Sequence, residues 1–551
     1  MTSETALDAI EALGRRKRND GEITEFIRQE YLQALWNDIL NATVRPQDIK
    51  TKPGSTEISE RLFSEFLTEY ARVDSLDTDP AYRFPSQPTL LQKLIVTRSL
   101  ERKYYANWSA MGTGKTLAAL LTARLSDAGT MLVLAPKDVL IHSWSEQIQR
   151  AYPDTETFTS VDEVPGAKPL KQLTRQKTTR QSFTCILINY DRFSIPSGYE
   201  SLRDTLLNAA PDFVCLDEIQ YIKSTTMSET SNRHVFCADF LRKLRKRNPE
   251  VRVQVLSGTP VINDLEEPRS ILSIMTGKEY EKNNRVTVRN VHETYKNILS
   301  NGFRYLGNPN ENVETNLPEI DGSSLTGDIA STDPKDGILA LEQLLTKKKL
   351  QSSAFLSSLK KGTIIFTHYV DGIVEPTLAA VTSTGLSAEA YTGETADRAG
   401  VFKRFVHGET DVLVASRPVI LGVDGLQETS DNLIILSLPW TWADYMQLIA
   451  RINRPRKDGK KRKVTVTIPQ IVIRTKNGTW SWDKRRNAVI RNKRTLGEAI
   501  VDGHIEKIYN IDRQALLQET MEEFKKEVPA TRPENTCQST PGNNRPEPLN
   551  P

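Results

Sequence analysis

The chain has 551 residues, 38% of them hydrophobic and 26% charged, with a formal net charge of +3. That length exceeds one hydrophobic core and, at ~100–200 residues per domain, predicts roughly three or four units. The composition is ordinary for a soluble globular protein and excludes overall disorder.

The near-neutral total hides an uneven distribution: Arg451 to Arg513 holds eighteen Lys/Arg against six Asp/Glu. The four cysteines, Cys185, Cys215, Cys237 and Cys537, form no C-x-x-C pair. They argue against zinc or a disulfide framework and for a reducing compartment. Met1–Ala6 is polar and acidic, so no secretory signal is expected. Apolar runs such as Met131–Leu134 and Ile364–Phe366 fall far short of the ~20 residues a membrane helix needs. We therefore expect an intracellular protein with no membrane partner, nuclear in a eukaryote and cytoplasmic in a prokaryote or virus.

In chain order, residues 1–84 read as a helical region. Ile23, Phe26, Ile27, Tyr31 and Leu35 share one helical face, and Leu62, Phe63, Phe66, Leu67 and Tyr70 share another. Arg15–Arg18 is a short basic run that suits a nuclear import signal or a nucleic-acid arm, though short basic runs are more often neither. Residues 85–276 change texture. Short, unalternating apolar runs (Met131–Ala135, Cys185–Asn189, Phe213–Leu216, Val253–Ser257) suit strands buried on both faces of a parallel sheet. Amphipathic segments between them predict an α/β layered lobe. Residues 277–345, richer in Asn, Gly, Asp and Pro, read as a linker or insertion with a little helix. A second α/β lobe is expected over 346–513, with strands near Gly362–Phe366, Val412–Ala415, Leu433–Leu436 and Val464–Ile468. The 514–551 tail, Pro-, Asn- and Glu-rich from about Val528, is expected to be mostly disordered.

The segment Ser109-Ala-Met-Gly112-Thr113-Gly114-Lys115-Thr116 precedes a helix-forming run. Glycines allow backbone N–H groups to turn inward around phosphates, and the following helix N-terminus adds positive dipole. Lys115 can reach β- and γ-phosphates, and the Thr116 hydroxyl can coordinate Mg²⁺. Ser109 stands where the strict G-x-x-x-x-G-K-[ST] pattern has glycine. A nucleotide site of this class needs a carboxylate at the end of a neighbouring strand. Val214-Cys-Leu-Asp217-Glu218-Ile-Gln220 supplies two: Asp217 to hold the metal and Glu218 to orient or deprotonate the attacking water. ATP and Mg²⁺ are the expected substrate and cofactor.

Several further blocks, in order, resemble helicase superfamily two and more narrowly its Swi/Snf-type DNA translocase ATPases. Pro88-Thr-Leu-Leu-Gln92 is similar to the family's adenine-reading segment. Leu132-Val-Leu-Ala-Pro136-Lys137 through Trp144, and Ile188-Asn-Tyr190, resemble its strand-contacting blocks. Leu256-Ser257-Gly-Thr259-Pro260-Val-Ile-Asn263 is close to the block that couples hydrolysis to lobe movement. Thr363–Thr367 resembles motif IV, and Val414-Ala-Ser416 followed by Gly422-Val-Asp424-Gly-Leu-Gln427 resembles motif V. Leu438-Pro-Trp440-Thr, then Gln447-Leu-Ile-Ala-Arg451-Ile-Asn-Arg454, resembles motif VI, whose arginines reach the ATP site from the other lobe. Trp480 through Gly503 is like the family's closing helix.

The resemblance spans roughly residues 85–505 and implies two RecA-like lobes, parallel sheets flanked by helices. It implies catalytic roles for Glu218, Arg451 and Arg454, and nucleotide contacts from Gln92, Gly112, Thr113, Gly114, Lys115, Thr116 and Asp217. Gln220, Ser257, Thr259 and Gln447 take coupling roles, and Pro136, Lys137, Tyr190, Thr367 and Ser416 take nucleic-acid contacts. Gln220 stands where relatives usually carry His, and Gln427 where many have Asn. The basic stretch Arg451–Arg494 suits phosphate contacts or a solvated face, and Trp480 and Trp482 suit packing or base stacking. The leading expectation is an ATP-dependent motor on double-stranded DNA that remodels or displaces bound protein. A strand-separating DNA or RNA helicase, and a nucleotide-gated non-catalytic scaffold, are the alternatives.

Overall fold

The computed structural model describes residues 21–41, 57–173, 183–222, 232–260, 264–280, 285–307, 312–331, 337–421, 425–454, 456, 462–475 and 478–503. Arg15–Arg18, Asn263, Gly422–Asp424, Cys537 and the whole 514–551 tail lie outside these residues.

Two helix-flanked parallel sheets make up the molecule, as expected of two RecA-like lobes. The first contains β1 (Tyr104–Asn107), β2 (Thr130–Ala135), β3 (Glu156–Thr159), β4 (Lys168–Pro169), β5 (Thr184–Asn189), β6 (Phe213–Asp217), β7 (Arg252–Leu256) and β8 (Gly302–Phe303). Their spatial order is β4-β3-β5-β2-β6-β7-β1-β8, and every neighbouring pair is parallel. β2 and β5 are buried along their full length because helices cover both faces. A fully buried Leu, Ile or Val contributes about 1.5–3 kcal/mol, so these runs hold the lobe together.

The second lobe's sheet runs β12-β13-β11-β14-β15-β9. Its strands are β9 (Val313–Asn316), β11 (Thr363–Phe366), β12 (Ala388–Tyr391), β13 (Val412–Ala415), β14 (Asn432–Ile435) and β15 (Val464–Thr467), again all parallel. A small third sheet, β10 (Glu319–Asp321), β16 (Gln470–Thr475) and β17 (Gly478–Trp480), sits on it.

Three N-terminal helices, α1 (Gly21–Leu40), α2 (Glu57–Asp74) and α3 (Leu90–Glu101), pack on the first lobe. Trp36, Phe66, Leu94 and Ile95 share a core with Tyr105 and Phe303. Glu69 fastens it, accepting from the Trp36 indole at 2.7 Å and from Arg98 at 2.7 and 2.9 Å. Thr89 and Gln92 form a capping box that starts α3. The phosphate-loop segment leads into α4 (Lys115–Leu125).

Residues 277–345, expected as a linker or insertion, are divided between the lobes. α5 (Val288–Ser300) and β8 join the first lobe's core and sheet, while β9 and β10 pair with β15 and β16. α6 (Gly337–Leu350) then packs Leu341 and Leu345 against Trp440, Trp480 and Trp482. After α7 (Trp442–Ile452), the closing helix α8 (Trp482–Val501) spans both lobes. Its start, with Trp482 and Ile490, lies in second-lobe cores, and its end, with Leu496, Ala499, Ile500 and Val501, lies in the first-lobe core. Among the described residues no helix is long and apolar enough to cross a membrane.

Candidate functional site

Adjacency of β6, β7 and β1 sets the site. The loops leaving their carboxyl ends carry Asp217–Gln220, Ser257–Thr259 and Ser109–Thr116 respectively, so three separate sequence blocks meet in one cleft. Ligands in open α/β sheets bind at such strand ends.

Gly112 and Gly114 both have φ near +75°, a left-handed conformation that a side chain would strain. A Cβ on Gly114 would also fall within 2.2 Å of the Gln92 amide. Lys115 folds across the loop and donates to the carbonyls of Ser109 and Ala110, each at 3.1 Å. Burial lowers its pKa, opposed by the Glu218 and Asp217 carboxylates and assisted by the Arg304 and Arg454 cations. Five charged groups therefore converge at one place. Thr113 Oγ1 donates to the Ala110 carbonyl at 2.8 Å, and Thr116 Oγ1 lies 3.5 Å from Ser143 Oγ. The Ser109 hydroxyl is fully buried and has no hydrogen-bond partner among the described residues.

Gln92 is engaged at both ends of its amide. The carbonyl accepts from the Thr89 N–H at 2.8 Å, and the NH₂ donates to the Gly114 carbonyl at 3.1 Å. It ties α3 to the loop.

Asp217 is 5% exposed and accepts from the Trp144 indole N–H and the Glu218 N–H, both at 2.9 Å. Burial and the adjacent Glu218 carboxylate raise its pKa, against Lys115 and Trp144. Trp144 arrives there through a π-helical turn, Leu140–Trp144, a distortion that recurs at functional sites.

Glu218 has φ +50°, a conformation that costs about 1–3 kcal/mol in a non-glycine residue. A chain of hydrogen bonds reaches it. Thr259 N–H donates to Ser257 Oγ at 3.0 Å, Ser257 Oγ donates to Gln220 Oε1 at 2.8 Å, and Gln220 Nε2 donates to Glu218 Oε2 at 2.5 Å. An amide can serve this position because it carries an acceptor and a donor on opposite atoms.

From the second lobe, Arg454 lies against the phosphate loop: a Cβ on Gly112 would stand 3.8 Å from its Nε. Arg451 donates to the Ile420 carbonyl from Nε at 3.0 Å and from Nη2 at 2.5 Å. Gln447 is 4% exposed on the buried face of α7.

The residues expected to touch nucleic acid are not gathered on a surface. Pro136 is buried at the start of the turn after β2. Tyr190 is 2% exposed, and its hydroxyl donates to the Asp217 carbonyl at 2.8 Å, which places it behind the acidic pair. Thr367 is fully buried and donates to the Tyr369 carbonyl at 2.8 Å, and Ser416 is 3% exposed. Only Lys137 reaches solvent, where it pairs with Glu163 at 2.5 Å. Trp480 and Trp482, each 2% exposed, are packing anchors. Arg486, expected within a basic stretch, is 2% exposed and paired with Glu342.

Two contributors lay outside the residues singled out by pattern. Trp144 ended a recognised block without a role. Arg304 donates to the carbonyls of Trp108 and Gly258 at 2.6 and 2.8 Å, and nothing local in its sequence marks it.

The family model described as SNF2-related domain matches residues 108–304, and that described as Helicase conserved C-terminal domain matches residues 342–456. No curated protein matches the chain.

Proposed function

From the premise that the chain belongs to the Swi/Snf-type ATPases of helicase superfamily two and is an ATP-hydrolysing helicase or translocase motor, we propose that its track is double-stranded DNA and that it displaces or remodels bound protein. The observation that carries the motor reading is the relay from Thr259 through Ser257 and Gln220 to Glu218, whose carboxylate acts on the phosphate-loop Lys115, with Arg454 against the same loop. The DNA track is supported by the SNF2-related match and by the wording Asp217-Glu-Ile-Gln220 and Ser257-Gly-Thr-Pro260.

In this reading the ATP phosphates lie in the loop of Gly112, Thr113 and Gly114. Lys115 then exchanges its two carbonyl partners for phosphate oxygens, which suits a buried cation with no carboxylate bonded to it among the described residues. Gln92 sits beside the loop, where its amide would meet the adenine only by giving up a present partner. Among the described residues no group of three or more His, Cys, Asp or Glu side chains could hold a metal. The donors that fit Mg²⁺ are the Asp217 carboxylate and the Thr116 hydroxyl, completed by phosphate oxygens and water. Bound there, Mg²⁺ would neutralise charge on the β- and γ-oxygens.

Glu218 would orient the attacking water and accept its proton. Arg454 would stabilise charge on the transferring phosphoryl, and Arg451 would keep the segment before Gly422 in place through Ile420. Because the Glu218 geometry depends on Ser257 and Thr259, movement of that block changes the base, which couples hydrolysis to lobe closure. Nucleic-acid contacts at Lys137 and at backbone N–H groups beside Pro136, Thr367 and Ser416 would grip phosphates without reading bases. For the domain limits, we take the first lobe to end near residue 307 and the second to begin near 312.

ATP hydrolysis measured with duplex DNA, single-stranded DNA, RNA and no nucleic acid tests the track. Stimulation by duplex, with triplex displacement and no strand separation, is the expected result. Stimulation by RNA alone would overturn it.

A further inference from the structure

Arg304 stands just past β8, at the last residue of the SNF2-related match and outside the short motif blocks named in the sequence. Its backbone is fixed by one side chain of the N-terminal helices: the Gln33 amide donates to the Arg304 carbonyl, and its oxygen accepts from the Arg304 N–H at 3.4 Å. The neighbouring backbone runs beside the phosphate loop's approach, with Trp108 N–H donating to Phe303 O at 2.9 Å and Ala110 N–H to Tyr305 O at 2.7 Å.

From this fixed point the guanidinium reaches three segments. Nη1 donates to Trp108 O at 2.6 Å, immediately before the loop, and to Gly258 O at 2.8 Å, immediately after relay residue Ser257. Nε donates to the Asp502 carboxylate at 2.9 Å, with side chains only 16% and 9% exposed. Asp502 caps α8, the helix that begins in the second lobe and ends in the first. Gly503, at φ +76°, ends that helix where a Cβ would come within 2.8 Å of the Tyr295 ring. The Asp502 carboxylate is thus delivered to Arg304 by a tight stop.

We infer that Arg304 is a positioning residue for hydrolysis, transmitting the setting of the closing helix, through Asp502, to the Gly258 carbonyl and so to the Ser257–Gln220–Glu218 relay. A planar fork with donors on separate nitrogens can bridge two carbonyls and a carboxylate, whereas a lysine ammonium is a single point charge. Lobe movement must displace or bend α8, since one rigid helix is packed into both lobes. Asp502 is where that displacement meets the catalytic lobe. The inference rests on the ATPase reading for its readout and on this geometry for its residues.

The test measures kcat and KM for ATP, with and without duplex DNA, together with Tm, in the full chain and in Arg304→Lys, Asp502→Ala, Asp502→Glu and the Arg304→Lys/Asp502→Ala double variant. Arg304→Lys and Asp502→Ala should each lower kcat about tenfold, within the range of ordinary coupling between sites, with KM changed less than about twofold. Asp502→Glu should recover most of the loss, and the double variant should be no worse than the weaker single, because both act on one connection. Unchanged kcat in either single variant overturns the inference. So does a fall in kcat that appears only alongside a raised KM and a lowered Tm, or a double variant whose losses multiply. A parent chain that hydrolyses ATP without stimulation by any nucleic acid sinks the motor reading instead, and the kcat comparison between variants still decides this one.

Discussion

Two clusters of buried charge differ in how they are paired. In the cleft, Lys115 spends its ammonium on two carbonyls, Glu218 takes a single amide bond in a strained backbone, and Asp217 is held by an indole and one N–H. In the second lobe, behind the small sheet, Lys349 bonds Asp483 and the Leu436 carbonyl, both at 2.6 Å. There Arg486 bonds Glu342 and the Leu438 carbonyl, and Trp482 donates to Glu342 at 2.8 Å. This knot matches each cation with an anion and clamps the backbone leading to Trp440 and α7. In the cleft the Lys115 ammonium and the Asp217 and Glu218 carboxylates influence one another without a hydrogen bond between cation and anion among the described residues, which is the arrangement a phosphate and a metal can enter. The difference predicts that substitutions in the cleft change rate at little cost in stability, and those in the knot change stability first.

The largest effect is expected at Arg454. Arg454→Ala should lower nucleic-acid-stimulated kcat by about 10³–10⁵, the range for an arginine supplied across a cleft, with Tm nearly unchanged. Arg451→Ala should cost less, because two of its guanidinium nitrogens donate to the Ile420 carbonyl. Equal losses in steady-state kinetics would break the distinction between the two arginines. Next, Glu218→Gln should lower kcat by about 10²–10⁴, as for loss of a positioned general base, while fluorescent-nucleotide titration shows binding retained. It should also relieve repulsion between the carboxylates, so a lost Tm would count against the contrast drawn here.

Much of this was legible in the sequence because its signals are local. Unalternating runs such as Met131–Ala135 and Cys185–Asn189 gave their strands, and glycines at 112 and 114 stand where φ is positive. What could not be read was anything set by three-dimensional order. That β6, β7 and β1 are neighbours, bringing Gln220 onto Ser257, follows from sheet topology and not from spacing. β8 and β9 are two- and four-residue edge strands in an Asn- and Gly-rich stretch, too short to show a period, so that stretch read as a linker. Tyr190 and Thr367 sit in motif-like wording yet turn inward, since a block's sequence does not state which face its side chains take. Arg304 acts on Gly258 and Asp502, 46 and 198 positions away, and carries no local mark.

In the knot the expected effect falls on folding. Glu342→Gln should cost about 3–5 kcal/mol, as when one partner of a buried ion pair is removed, read as a lowered denaturation midpoint. The pH dependence has a defined sign. Burial pushes the Glu342 carboxyl up, but Arg486, Lys349 and the Trp482 indole outweigh it and hold its pKa below the usual value. A depressed carboxylate contributes stability that is complete above its unfolded pKa of about 4.3 and is lost as pH falls through the folded value. Glu342→Gln should therefore lower stability most above about pH 5 and converge on the parent in acid. Asp483, which burial raises despite Lys349, works in the opposite sense and blunts the parent's acid loss.

The smallest effect separates positioning from chemistry inside the cleft. Ser257 is fully buried, accepts from the Thr259 N–H and donates to Gln220. Ser257→Ala removes one hydroxyl and leaves the Gln220 carbonyl without its donor, a loss of about 1–3 kcal/mol if the group stays buried. Gln220 can avoid that cost by rotating, which would withdraw its amide from Glu218. The expected result is a fall of about tenfold in kcat with ATP affinity unchanged and most of Tm retained. Gln220→His should restore the donor to Glu218 from an imidazole and keep turnover within a few-fold of the parent, about 1 kcal/mol in barrier. A Ser257→Ala chain that loses Tm instead of turnover would place Ser257 with the knot, as a stability element, and the contrast between the two clusters would fail at its most sensitive point.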